Sequence, residues 1–153
     1  MTRPPQPAPK DNSLATAAAL ACSSNQMSTS SNIYIAVVDD ESSLCTSLSR
    51  LLRLAGFQPI SYPSAEAFLA DDKHPQFDCL ALDIRLGGMS GLELFRQLAA
   101  QKNHPPVIFI TAFDDPEIRA QAEALGCAGF FRKSTPGVEI VEAIRRATLE
   151  QAA

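Results

Sequence analysis

The sequence predicts an α/β protein in which a doubly wound, five-stranded parallel sheet is flanked by five helices. Three observations predict it. Short, continuous apolar runs recur five times between residues 32 and 150, as strands buried on both faces of a parallel sheet do. Each run is followed by a stretch whose apolar residues repeat at helical spacing, so that β and α alternate. Four of the runs also hand over to Asp, Thr or Lys, at the strand ends where open α/β sheets bind their ligands.

The first run is IYIAVV (33–38), followed by Leu44, Leu48, Leu51 and Leu52, an i, i+4, i+7, i+8 stripe that stops at Gly56. QPISY (58–62) is a weaker second run, and Ser64 caps a short helix expected to reach Leu69. CLAL (79–82) is the third, and after Gly91 the residues Leu92, Phe95, Leu98 and Ala99 make the next stripe. VIFI (107–110) is the fourth. Asp115 before Pro116 then opens a helix that Gly126 ends. GFFR (129–132) is the fifth, and Thr135 with Pro136 opens the last helix, where Val138, Val141, Ile144 and Leu149 are expected to face the core. Right-handed crossovers between parallel strands place these helices on both faces of the sheet.

The chain has 153 residues, room for one such domain. Its 17 acidic and 13 basic residues give a net charge of -4, which argues against nucleic acid held on a broad basic face. No apolar run approaches the roughly 20 residues of a membrane span. Cys22, Cys45, Cys79 and Cys127 are scattered without a CxxC pair, and read as reduced, structural thiols of a cytoplasmic protein. Residues 1–31 are rich in Pro, Ala and Ser, and read as a disordered leader outside the fold. Arg3 and Lys10 precede an apolar stretch, but Leu14 to Cys22 is short for a secretory signal. Met27 offers a later start, leaving 32–150 as the domain.

The residues after the runs are Asp39 and Asp40, Asp83, Thr111, and Lys133. Adjacent carboxylates at a core edge repel, by roughly 4 kcal/mol for unit charges 4 Å apart at an effective dielectric near 20. A divalent cation removes that repulsion, and clustered carboxylates suit Mg2+ or Mn2+ rather than zinc. An ammonium and a hydroxyl are what the oxygens of a phosphoryl group need. An ionised carboxylate is a nucleophile that needs no general base. Phosphoryl transfer to an aspartate is the reaction class that uses all of them.

The stretches VVDDE (37–41), LDIRLGGMSGLEL (82–94), FITAF (109–113) and GCAGFFRKS (126–134) resemble the receiver domain of bacterial two-component response regulators, from about Asn32 to Leu149. The resemblance implies a flavodoxin-like fold and Asp83 as the phosphoacceptor. It implies Asp40 as a direct metal ligand, Asp39 acting mostly through water, and the backbone carbonyl of Arg85 as a third protein ligand. Thr111 and the backbone of Ala112 would contact the phosphoryl group, Lys133 would pair with it, and Phe130 falls on the family's switch aromatic. The implied partner is a histidine kinase or phosphotransfer protein, with a possible homodimer face across 115–149. Gly87 stands where the family usually has proline, which predicts a looser loop. Ser134 stands where the family has a cis proline after the lysine. A cis bond without proline costs about 2.5–4 kcal/mol, so Lys133–Ser134 is expected to be trans.

His74 and His104 each precede a proline away from the strand ends and carry no expected role, and Arg145 and Arg146 read as a solvated helix face. No helix-turn-helix pattern is present, so direct nucleic-acid binding by this chain is not expected. A dehalogenase-type phosphohydrolase would carry DxD on its first strand, whereas this pair is adjacent. A flavodoxin-like cofactor binder would want a Ser/Thr/Gly-rich phosphate loop where this chain has acid. The remaining alternative is a receiver-like interaction module that works without phosphorylation. The expected activity is a switch rather than an enzyme, acting chemically only on its own aspartate.

Overall fold

A computed structural model describes residues 32–152, with side chains through Glu150; the leader and Cys22 lie outside the described residues. Five strands, β1 (Tyr34–Val38), β2 (Gln58–Tyr62), β3 (Cys79–Leu82), β4 (Val107–Thr111) and β5 (Gly129–Arg132), alternate with five helices. The helices are α1 (Ser42–Leu54), α2 (Ala65–Ala70), α3 (Gly91–Ala99), α4 (Pro116–Ala124) and α5 (Gly137–Ala152). All neighbouring strands pair in parallel, in the order β2-β1-β3-β4-β5.

Period-two alternation sends successive side chains to opposite faces of the sheet. Ile35, Val37, Cys79, Ala81, Ile108 and Ile110 pack against α1 and α5, through Leu48, Leu52, Ile140, Val141 and Ile144. Ala36, Val38, Leu80, Leu82, Val107 and Phe109 pack against α2, α3 and α4, through Phe68, Leu94, Phe95, Leu98 and Ala122. This division explains why β1, β3 and β4 read as unbroken apolar runs. β2 lies at an edge and leaves Gln58 and Ser61 exposed, hence its weaker pattern.

The caps follow the sequence closely. Ser64 accepts the Ala67 N–H at 3.0 Å and Asp115 that of Glu117 at 3.0 Å. Ser90 and Glu93 form a reciprocal capping box at the start of α3. Gly56 and Gly126 close α1 and α4 with φ of +97° and +90°, where a side chain would be strained. The last helix corrects one expectation. Val138 and Leu149 are 64% and 63% exposed, and the buried stripe is Ile140, Val141, Ala143, Ile144, Ala147 and Thr148. Those positions follow the i, i+1, i+3, i+4, i+7, i+8 phase of one face, and Val138 and Leu149 fall outside it. The Arg145 side chain is 43% exposed, with its guanidinium 5.4 Å from the Phe57 ring centroid.

Asp83 N–H donates to the Val38 carbonyl at 2.9 Å and Asp39 N–H to that of Tyr62 at 3.1 Å. These bonds carry the sheet one residue beyond the strands and bring the two aspartates side by side. A Cβ on Gly91 would run into the Asp83 carbonyl oxygen, with Ile84 Cα at 3.3 Å, so α3 can start this close to β3 only without a side chain there. Gly91→Ala is expected to destabilise the protein by about 1–3 kcal/mol, while Ala at Gly87, where a Cβ meets nothing within 4 Å, should change stability little. Urea unfolding of both variants checks this; equal midpoints would contradict the close approach.

Candidate functional site

The strand order reverses between β1 and β3, and the crevice outside that point is where doubly wound folds place their sites. Val38 pairs with Leu82 and Leu82 with Phe109, so the residues just beyond them converge. Carboxylate oxygens of Asp39, Asp40 and Asp83 lie within 4.8 Å of one another. Asp39 and Asp83 are buried, at 3% and 4% exposure, while Asp40 faces solvent. Thr111 closes the adjoining strand end at 1% exposure, and the Phe113 N–H donates to its hydroxyl at 3.4 Å.

Lys133 reaches in from the far edge of the sheet. Its Nζ lies 2.9 Å from Asp83 Oδ2, 3.0 Å from Glu41 Oε1 and 3.2 Å from Asp39 Oδ2. Its own backbone N–H donates to the Thr111 carbonyl at 2.8 Å, and no cis peptide occurs among the described residues, so Lys133–Ser134 is trans. Proline is therefore not needed to bring this lysine to the aspartates. Burial alone would lower the Lys133 pKa, but hydrogen bonds to Asp83 and Glu41 and the charges of Asp83 and Asp39 outweigh it and hold it above the usual lysine range.

Glu41, adjacent to the acidic pair in sequence, stands apart from that cluster and serves the lysine. It occupies the N-cap position of α1 without capping it by a side-chain bond, and its pKa is lowered chiefly by the hydrogen bond from Lys133. Asp39 accepts the Glu41 N–H at 2.8 Å, yet burial and the neighbouring Asp83 push its pKa from 3.8 up to about 6, against the pull of that N–H and Lys133. The lysine thus compensates the acidic site incompletely. The donors are oxygens alone, in carboxylates close enough to share one ion, and they fit Mg2+ or Mn2+ rather than a metal that prefers nitrogen or sulfur.

Arg85 N–H donates to Asp83 Oδ1 at 3.2 Å, and the Arg85 guanidinium lies 4.5 Å from the exposed Phe113 ring, bridging the loops after β3 and β4. Ala112, between Thr111 and Phe113, is exposed. Phe130 is buried, tilted against Phe109 at 6.0 Å between centroids, with the Arg119 guanidinium 5.3 Å from its own. Arg119 was not legible in the sequence as part of this site; it also pairs with Asp114 at 3.7 Å and Glu123 at 3.4 Å. His74 stacks on Phe68 and His104 meets the edge of Phe95, so both histidines belong to the packing. Cys45, Cys79 and Cys127 are free thiols whose pKa values burial raises, that of Cys79 to about 12.

A parallel sheet of this order, with clustered acid and one lysine at its switch point, is the architecture of a receiver domain. The model of the response regulator receiver domain family matches residues 35–145, and the chain belongs to that family, a component of two-component signalling systems. It is 34% identical over 119 residues to nodulation protein W of Bradyrhizobium diazoefficiens, covering 78% of this chain and 52% of that protein. It is 38% identical over 112 residues to transcriptional regulatory protein FixJ of Rhizobium meliloti, covering 73% of this chain and 55% of that one. The chain thus spans about half the length of these curated relatives. The crystal structure of FixJ-N superposes with a TM-score of 0.69 at 36% identity, over 77% of this chain and 94% of that one. Among the described residues, no helix is long and apolar enough to cross a membrane.

The raised Asp39 pKa sets a pH dependence. A carboxyl that keeps its proton more readily folded than unfolded contributes stability that is fully present below pH 3.8 and lost as the pH rises through about 6. A rise of this size corresponds to roughly 3 kcal/mol between the protonation states. In EDTA, Asp39→Asn should therefore gain stability relative to wild type as the pH goes from 4 to 7. Chemical denaturation across that range checks it, and a constant difference would show that Asp39 titrates normally.

Proposed function

We propose that this chain is a phosphorylation-dependent signalling switch, taking a phosphoryl group onto Asp83 from a partner histidine kinase or phosphotransfer protein in a two-component phosphorelay. The observation that carries this reading is Lys133 Nζ at 2.9 Å from a buried aspartate, beside two further carboxylates at the switch point of the sheet. The domain would comprise 32–150, with 1–31 a leader, in the cytoplasm.

In the transfer an Asp83 carboxylate oxygen attacks phosphorus; the new O–P bond forms as the P–N bond to the donor histidine breaks, and the histidine nitrogen keeps that electron pair. Mg2+ or Mn2+, held by Asp39, Asp40, Asp83 and the Arg85 carbonyl, would supply charge neutralisation for the phosphoryl oxygens. Lys133, already bonded to Asp83, exchanges that bond for one to the phosphoryl group and keeps Glu41 as its counter-charge. Thr111 and the Ala112 backbone offer the remaining polar contacts. The chain's chemistry is confined to forming and hydrolysing its own aspartyl phosphate.

Acetyl phosphate with Mg2+ should add one phosphoryl mass to the wild type and none to Asp83→Asn. Asp40→Ala should need at least tenfold more Mg2+ for the same yield. Intact-mass spectrometry reads both, and an adduct mapped elsewhere, or none at any Mg2+ concentration, favours an interaction module that works without phosphorylation.

The signal would travel through Thr111 and Phe130. A Thr111 hydroxyl drawn toward the phosphoryl group frees space beside β5, where Phe130 packs under Arg119. The surface so altered spans 115–149 and would be the homodimer or partner face. Because Phe130 is buried already, the shift is expected to be small: a state populated to about 10% gains at most about tenfold from any ligand. Amide chemical shifts on adding beryllofluoride should move in α4, β5 and α5 as well as around Asp83. Silence in the last two helices would exclude the switch.

A further inference from the structure

The loop from Asp83 to Gly91 carries the proposed phosphoacceptor and the proposed carbonyl ligand, Arg85, and has two glycines in its middle. Its ends are fastened: the Gly91 N–H donates to the Ile84 carbonyl at 3.0 Å, and the capping box holds Ser90. Gly87 and Gly88 bring no side chain to restrain the span between, and glycine has the most backbone freedom to lose on ordering. The expected consequence is a loose loop. Instead a residue from another element holds it.

Glu66, in the first turn of α2, accepts the Met89 N–H on Oε2 at 2.7 Å, across 23 residues of sequence. Its carboxylate lies directly against Gly88: a Cβ there would run into Glu66 Oε2, with Oε1 at 3.1 Å. The absence of a side chain at 88 thus admits the carboxylate, and the carboxylate supplies the restraint that the glycines lack. The hydrogen bond from Met89, followed by one from Glu66's own N–H, holds the carboxyl below the usual range, so the acceptor is charged at neutral pH and the bond charge-assisted. Glu66 is exposed; the contact does not arise from core packing.

We propose that Glu66 is a positioning residue for the phosphorylation site, and that Glu66 and Gly88 act as a matched pair clasping the Asp83–Gly91 loop to α2. The inference rests on the reading of Asp83, Asp40 and the Arg85 carbonyl as the metal and phosphoryl site. Groups that orient metal ligands from outside typically change affinity 10–100-fold, and a clasp on an exposed loop belongs at or below the lower end.

The experiment is Mg2+ titration calorimetry on wild type, Glu66→Gln, Glu66→Ala, Gly88→Ala and the Glu66→Ala/Gly88→Ala double variant, with amide exchange at Met89. Glu66→Ala should weaken Mg2+ binding about three- to tenfold with little change in melting temperature. Glu66→Gln, whose amide oxygen still accepts the N–H, should stay within about twofold of wild type. Gly88→Ala should displace the flexible Glu66 side chain and match Glu66→Ala, and the double variant should be no worse than either single, because one interaction is lost in each. Wild-type affinity in Glu66→Ala, or losses that multiply in the double variant, would overturn the clasp. A wild type that binds no Mg2+ would overturn the site reading instead. In that event the Met89 amide decides the clasp: slow exchange in wild type and Glu66→Gln with fast exchange in the other three supports it, and equal exchange in all sinks it.

Discussion

One ammonium holds the functional edge of this molecule together. Asp39, Asp40 and Asp83 are brought within 4.8 Å by the strand order, and without compensation their repulsion would push the ends of β1 and β3 apart. Lys133, from beyond β5, reaches Asp39, Glu41 and Asp83 at 2.9–3.2 Å and so ties the central strands to the sheet's far edge. The compensation is partial. Asp39 remains pushed up toward pH 6 because its burial and Asp83 together exceed what one shared cation and one backbone N–H return. The cluster of Asp39, Asp40 and Asp83 is thus left short of positive charge.

The loops that surround the acid cluster are held by contacts of several kinds, each suited to its place. The loop after β1 is held by the Asp39 carboxylate on the Glu41 N–H, and that after β4 by the Thr111 hydroxyl on the Phe113 N–H. The loop after β3 combines a glycine pressed against the Asp83 carbonyl, a capping box and the reach of Glu66 from α2. At Asp39 and Glu66 the acceptor is a carboxylate, and a bond from a backbone N–H to an ionised carboxylate is charge-assisted and strong. On the α4 side Arg119 lies over Phe130 while paired with Asp114 and Glu123, so a charged group also covers an aromatic ring of β5.

Much of this was legible in the sequence because its physical causes are local. Buried strands must be apolar throughout, helices must repeat at 3.6 residues, and glycine, proline and capping residues punctuate both; all five strands and five helices could be placed on those grounds. The strand-end rule then selected Asp39, Asp40, Asp83, Thr111 and Lys133, because a doubly wound sheet converts positions in sequence into one edge in space. The phase of α5 was the exception. Val138 and Leu149 look like core residues by composition, and only the packing of Ile140, Val141 and Ile144 on the sheet shows which face is turned inward.

What the sequence determined by itself, then, was the fold, the chemical character of its ligand edge, and which residues stand there. Tertiary structure decided how those residues share their charges. Glu41 left its neighbours for Lys133, Asp39 became the buried acid while Asp40 stayed in solvent, and Glu66 and Arg119 entered the site's surroundings from helices whose sequence gave no sign of it. The physical reason is range. Periodicity and capping act over a few residues and leave a mark in sequence, whereas a carboxylate's partner and pKa depend on groups 23 to 94 positions away, whose meeting only the folded chain can arrange.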